Sequence, residues 1–418
     1  MTIRTTEPHG MTPLLPNFRE PQALLAHMRS ILAFYEPHAI DPTGGCYHFF
    51  KDDGTVYDRH TRHLVSSTRF VFNAAVSHRW FGTDVDDVAH ALAFVRGAHA
   101  RPNGYAWLID WRDRRAEVLD GTHHCYGLAF VLLAQAHAAD AGVPGALEGV
   151  DETFELMERR FWEPAQGLYA DEISSEGVLS NYRGQNANMH ACEAMLAAYA
   201  ATGESRYIAR ALALAEGIVR RQASLAAGLV WEHYHADWTP DWDYNRHDRT
   251  NIFRPWGYQT GHLTEWAKLL LQLERRLGEA APDWLLASAR HLFDTAMQRG
   301  WDAEHGGLVY GFAPDGTVCD GDKYFWVQAE SLAAAAWLAV RTGEETYWQH
   351  YDRLWAYAWE HFVDHRYGAW YRILSPINAP LSDEKSPAGK TDYHTLGACQ
   401  DVLTALGVTP AMLSQVPA

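Results

Sequence analysis

The chain has no CxxC pair, and its five cysteines (Cys46, Cys125, Cys192, Cys319 and Cys399) are scattered and odd in number. That excludes a disulfide framework and the usual zinc spacings, and it fits a reducing compartment. Basic residues are few: 35 Lys and Arg against 52 Asp and Glu leave a formal net charge of -17. A nucleic-acid partner would need a basic stripe, and an acidic polymer would approach against the average field, so neither is expected. No basic segment followed by an apolar stretch opens the chain, and no uncharged apolar run reaches membrane-spanning length. The expectation is a cytoplasmic protein with no membrane partner. GxGxxG, Walker, GxSxG and HExxH patterns are also missing, so neither a cofactor nor a metal is expected. The adjacent His123 and His124, placed on a helix, would diverge and could not share an ion.

Aromatic residues are abundant: 17 Trp, 20 Tyr and 16 Phe make 13% of the chain. Most must be core. The remainder suits a carbohydrate cleft, because the C–H face of a pyranose packs on an aromatic ring while Tyr and Trp tips bind hydroxyls.

Six segments repeat one pattern of glycine, alternating aromatics and a polar turn: GGCYHFFKDDGTV from Gly44, NGYAWLIDWRD from Asn103, QGLYADEISSEG from Gln166, AGLVWEHYHADW from Ala227, GGLVYGFAPDGTV from Gly306 and YGAWYRILSPINAP from Tyr367. Most recur roughly sixty residues apart, one longer gap holding an insertion, and each reads as a short hairpin. Between them lie helical stretches such as Tyr207 to Gln222, Trp284 to Met297 and Glu330 to Arg341, with apolar residues at three- and four-residue spacing. Two helices fit each interval, which predicts about twelve helices closing into an all-α ring, an inner set within an outer set, with hairpins at one rim. The stretch AESLAAAAWLAV is apolar on almost every face, as an inner helix must be. No linker divides the chain, so residues 1–40 are read as an arm and first helix and 41–418 as a single domain. The proline-rich EPHGMTPLLPNFREP is expected to be extended.

Three segments concentrate chemistry. Asn181 to Glu193 (NYRGQNANMHACE) leaves a loop and enters a helix, with Asn188 as candidate N-cap, His190 in the first turn, and Glu193 three residues further on the same face. Asn251 to Trp266 places Gly261, His262 and Glu265 at the next such entry, where Glu265 would orient the imidazole as a general base. Thr391 to His394 precedes the last helix, and its histidine reaches the same mouth only if the ring closes.

YRGQNANMHACEA, GHLTEW and the late Tyr393-His394 together resemble the N-acylglucosamine 2-epimerase superfamily, and within it the bacterial aldose–ketose isomerases acting on mannose and related sugars. The resemblance runs from about Asp41 to the final helix and implies an (α/α)6 barrel. It implies His262 as the base for the C2 proton, His394 as the second catalytic histidine, Glu265 as the carboxylate holding the pair, and Arg69 as the group polarising the carbonyl. It implies His190, Asn188, Glu193, Trp326, Glu330 and His124 as substrate-binding pocket, although Cys125 and Tyr126 depart from the commoner aromatic pair beside His124. The expected reaction is aldose–ketose isomerisation of the D-mannose/D-fructose type through a cis-enediol, on a free monosaccharide, a disaccharide being the larger alternative. The competing reading is 2-epimerisation of an N-acylhexosamine, mannose or a β-linked disaccharide. Glycoside hydrolysis ranks lower: it needs two carboxylates, and the rim acids Asp110, Glu172, Glu232 and Asp243 stand in no distinctive segment. A monomer or homodimer fits such a barrel, the dimer being favoured.

Overall fold

In the computed structural model, residues 13–36, 38–248, 251 and 253–413 are described. Six helices line the interior: α2 (Leu64–Phe81), α4 (Cys125–Asp140), α6 (Gln185–Thr202), α8 (Thr260–Leu277), α10 (Phe325–Thr342) and α12 (Tyr393–Ala405). Each packs on the next, and α12 packs on α2, so the inner ring is closed. The outer set is α1 (Pro21–Tyr35), α3 (Val85–Phe94), α5 (Ala146–Arg160), α7 (Ser205–Ala215), α9 (Trp284–Gly300) and α11 (Glu345–His361). This is the (α/α)6 barrel that the repeat predicts.

Burial separates the two sets. In α10 every residue from Phe325 to Ala339 is buried, because neighbours press on it from both sides. In α7 only Tyr207, Ile208, Ala211, Leu214 and Ala215 are buried, a one-sided stripe against the ring. The inner-to-outer turns reuse one device: Gly203 and Gly343, both at φ 73°, end α6 and α10, and the preceding threonine hydroxyl accepts the following glutamate N–H. α1 was read from the sequence as set apart with the N-terminal arm. It packs on α12 and α2 and takes the sixth outer position, so the segment from Pro21 belongs with the ring. Residues 1–12 of the expected arm lie outside the described residues.

One short antiparallel ladder precedes each inner helix. Thr61–His63 pairs with Leu108–Arg112, His123–His124 with Glu172–Ile173, Arg183–Gly184 with His233–Tyr234, Tyr258–Gln259 with Gly311–Phe312, and Lys323–Tyr324 with Ile373–Leu374. The sixth, Glu384–Ser386 with Phe49–Lys51, joins the two ends of the chain. The partner strand always comes from a repeated aromatic segment. His123 and His124 therefore form a strand, not part of a helix as expected. The insertion is the long connection between Pro240 and Tyr258. Among the described residues no helix is long and apolar enough to cross a membrane.

Candidate active site

All six inner helices begin at the rim that carries the ladders, so their unsatisfied N–H groups and positive dipole ends point toward one mouth. Arg69 on α2, His190 on α6, His262 and Glu265 on α8, Trp326 and Glu330 on α10, and His394 on α12 all lie in the first two turns of these helices. Each is buried at 8% exposure or less.

His262 is held by Glu232, not by Glu265. Its Nδ1 lies 2.9 and 3.0 Å from the two Glu232 oxygens. Gln185 Nε2 donates to the same carboxylate at 3.0 Å, and Trp266 Nε1 donates to Gln185 Oε1 at 2.7 Å. The amide orientation is thereby set, and the imidazole proton sits on Nδ1. Nε2 is left as a lone pair with no protein partner among the described residues. Glu232 comes from the repeated hairpin that pairs beside Gln185, which is why no sequence spacing from His262 reveals it. Gly261 has a steric reason: a Cβ there would stand 2.4 Å from the Trp326 ring.

His394 is built the same way with a different acid. Its Nδ1 lies 2.7 Å from Glu330 Oε1, while Arg69 donates to its Nε2 at 3.2 Å, so this ring also carries its proton on Nδ1. Glu330, expected as pocket wall, is thus the carboxylate that orients His394. Burial and the adjacent Arg69 keep the His394 imidazole well below the ordinary histidine range, hence neutral. The Arg69 guanidinium lies between the Phe130 and Tyr393 rings at 4.6 and 4.7 Å and donates to the Gly389 carbonyl. Shielded from water, its charge acts at full strength on the mouth.

His190, in the second turn of α6, donates from Nδ1 to Glu193 at 2.9 Å, and the other Glu193 oxygen accepts from the Tyr393 hydroxyl. Glu193 therefore positions two rings. Burial pushes His190 down to about 4. Glu265 has both carboxyl oxygens buried without a hydrogen-bond partner, its nearest cation-forming neighbour being His190 Nδ1 at 3.8 Å. Burial, then the charge of Glu330, raise it well above the usual carboxylate range, which favours its protonated form.

Trp326 stands between the two histidines, its ring centroid 5.0 Å from His262 and 5.7 Å from His394, with a buried and unpartnered indole N–H. Asn188 is neither N-cap nor pocket. Gly184 occupies the cap, and the fully buried Asn188 amide bonds Tyr169 N at 2.8 Å, Tyr169 O at 3.0 Å and Gly184 O at 3.1 Å. Gln328, at the same position of α10, clamps Leu308 identically. His124 makes its contacts with Glu172 at 3.4 Å and the Trp107 ring at 4.1 Å.

Phe253, from the insertion, stacks at 6.0 Å on His63, the N-cap of α2 at the rim, with Lys390 Nζ 5.8 Å from its ring. Arg254 ties the same insertion to Glu172 at 2.6 Å. Two groups, His190–Glu193–Glu265 and Glu265–Glu330–His394, have donor atoms within 4.8 Å of one another, as a metal site would. A divalent ion there would enter against Arg69 and against Lys268, whose Nζ is already 2.6 Å from Glu330. These residues fit an organic, uncharged substrate better than a cation.

A family model described as N-acylglucosamine 2-epimerase matches residues 44–398. The chain is 52% identical over 398 residues to a D-mannose isomerase of Marinomonas mediterranea, covering 94% of this chain and 99% of that one. It is 38% identical over 326 residues to a D-mannose isomerase of Thermobifida fusca, covering 77% and 79%. A crystal structure of a D-mannose isomerase superposes with a TM-score of 0.89 at 51% identity, over 93% of this chain and 99% of that chain.

Proposed function

The chain belongs to the N-acylglucosamine 2-epimerase family, and from that premise we propose that it interconverts D-mannose and D-fructose by moving a proton between C2 and C1 of the open-chain sugar. The observation that carries this reading is the His262 ring, proton fixed on Nδ1 by Glu232 and Nε2 free.

His262 Nε2 takes the C2 proton, and the C–H electrons form the C1=C2 bond as the carbonyl oxygen becomes an oxyanion. Arg69 and the convergent helix N-termini face that developing negative charge. The proton held on Nε2 exchanges with solvent and is then delivered to C1. His394 serves ring opening and carries the O2 proton to O1, which completes the ketose without net change in protonation. The bound Nδ1 of each histidine keeps its carboxylate, so the transient imidazolium is stabilised where it forms. Trp326 walls the site between the two rings and offers its N–H to a hydroxyl, while His190 Nε2 offers a lone pair to one. Isomerisation is favoured over 2-epimerisation because the relatives at 52% and 38% identity are named D-mannose isomerase. An odd number of cysteines with no CxxC pair favours a cytoplasmic setting.

Proton NMR of the purified protein with D-mannose in D2O and EDTA tests the proposal. Fructose carrying deuterium at C1 is the expected product. Glucose as first product would move the assignment to 2-epimerisation, and inertness toward mannose, glucose and N-acylhexosamines alike would refute histidine proton transfer.

A further inference from the structure

Below the histidines, α8 carries His262, Glu265 and Lys268 at three-residue steps, and α12 carries Asp401 two turns beyond His394. Lys268 lies within an apolar helix and is only 3% exposed. A lysine ammonium in such surroundings is strongly destabilising unless paired. Here Nζ lies 2.6 Å from Glu330 Oε2 and 3.1 Å from Asp401 Oδ2, and Gln272 Nε2 holds the other Asp401 oxygen at 2.9 Å. The second Glu330 oxygen is the one that accepts His394 Nδ1–H. One carboxylate thus joins a deep cation to a ring at the mouth.

We propose that Lys268 is a positioning residue for the isomerisation, keeping Glu330 ionised so that His394 holds its proton on Nδ1 and turns a lone pair on Nε2 toward Arg69 and the sugar. The inference rests on the function proposed above. The groups facing Glu330 are Lys268 and Glu265 from α8, His394 and Asp401 from α12, and Glu193 from α6, with Arg69 from α2 beyond His394. On the outer side, α9 and α11 bury apolar and tyrosine side chains. Without Lys268 the surrounding carboxyls and the dry interior protonate Glu330; in its presence they leave Glu330 pushed up to about 7 by burial, with Lys268 opposing. A protonated Glu330 donates to Nδ1, driving the histidine proton to Nε2, where it meets an Arg69 N–H donor head-on. The tautomer of a ring at the mouth is then set by a charge two links away.

The pH dependence of kcat and KM, with 15N NMR of the histidine rings, tests this in Lys268→Met, Lys268→Arg and Asp401→Asn. Activity that needs ionised Glu330 is lost as pH falls through its pKa. Lys268→Met raises that pKa and moves the acid limb upward by about one to three pH units. At pH 7 its kcat falls by about five- to several-hundredfold, as the ionised fraction of Glu330 shrinks, with KM little changed, and His394 switches to the Nε2–H tautomer. Lys268→Arg keeps the cation and the limb. Asp401→Asn removes a negative neighbour and does not move the limb upward. A Lys268→Met protein with an unshifted limb and an unchanged tautomer overturns the proposal. So does an upward shift in Asp401→Asn, which decides the matter if Lys268→Met does not fold. An inactive unaltered chain would refute the proposed function instead, and the tautomer measurement, which needs no turnover, would still stand.

Discussion

Glu232→Gln separates the structural account of the base from the one that sequence spacing suggests. The substitution keeps the shape and removes the charge. Glu232 accepts from His262 Nδ1 at 2.9 Å and from Gln185 Nε2 at 3.0 Å, and Trp266 prevents the Gln185 amide from flipping. A glutamine in this place must set its own N–H2 against one of two donors. Against Gln185 it loses the hydrogen bond. Against His262 it forces Nδ1 to accept, which moves the proton onto Nε2 and blocks the base. Loss of a charge-assisted hydrogen bond alone is worth about 1.5–3 kcal/mol, or roughly 10- to 150-fold in rate. The wrong tautomer carries the loss toward about 10⁴-fold. The expectation is a kcat for D-mannose lowered on the order of 10²- to 10⁴-fold, with a far smaller change in KM. Glu265→Gln keeps the shape of a carboxyl that makes no hydrogen bond and whose charged form burial disfavours, and it retains at least about tenfold more activity than Glu232→Gln. Initial fructose formation and C2 deuterium exchange, measured on both variants with matched circular dichroism, provide the comparison. A Glu232→Gln enzyme keeping more than about a tenth of the kcat, or the reverse ranking of the two variants, refutes the assignment.

Other outcomes follow from the same geometry. Asn188→Ala orphans the buried N–H and C=O of Tyr169 and lowers stability by roughly 2–4 kcal/mol in urea unfolding, while the folded fraction turns over near the normal rate; a large kcat loss in folded protein would return Asn188 to the pocket. Burial depresses His99 to about 4 and His63 to about 3, and holds His48 well below the histidine range. The unfolded chain binds those protons near pH 6.5, so their stability is complete above that pH and is lost as pH falls toward 4. Denaturant midpoints at pH 7, 5.5 and 4.5 should drop steadily; a flat series would contradict it. Phe253→Ala removes the ring that crosses to His63 and should raise KM for mannose by about three- to tenfold with kcat nearly unchanged, whereas an unaltered KM would detach that ring from the substrate path.

What the sequence made legible was periodic. The repeated aromatic segments mark the second strand of each ladder, and their spacing counts the helix pairs without reference to any long-range contact. His190, His262 and His394 are legible for the same reason, since each stands at the start of an inner helix. Partnerships across the ring are not periodic. His262 and Glu232 are 30 residues apart, and His394 and Glu330 are 64 apart, so only the packing of neighbouring repeats brings them together. Spacing within one helix favoured Glu265 because it sees no neighbour from the next repeat. Asn188 misled in another way. An amide at a helix start suggests a cap or a ligand, yet here it satisfies the backbone of the preceding hairpin, and its counterpart Gln328 marks the role as architectural. Lys268 did leave a signal, the one charged residue in the run WAKLLLQL, legible only once α8 is known to be an inner helix.

The layering of charge explains how an acidic chain can stabilise an anion. Positive ends of six inner helices and Arg69 occupy the mouth, where the enediolate forms. Glu330, Glu193, Glu265 and Asp401 lie deeper along the same axis, where Lys268 faces them. Had those acids stood at the mouth, they would oppose the oxyanion; placed below the rings, Glu330 and Glu193 act through the Nδ1 protons of His394 and His190, orienting Nε2 upward. The histidines divide the two layers, and each ring converts a buried negative charge into a basic nitrogen directed at the sugar. Exchanging the layers, for example with a carboxylate at Trp326, would place a like charge between His262 and His394, raise both their pKa values and trap them as cations unable to take a proton. A Trp326→Glu enzyme should therefore lose its activity near neutral pH and recover part of it as pH rises, whereas Trp326→Gln, equally small and uncharged, should show no such recovery. A rate that rises equally with pH in both would show that the field at the mouth does not govern the base.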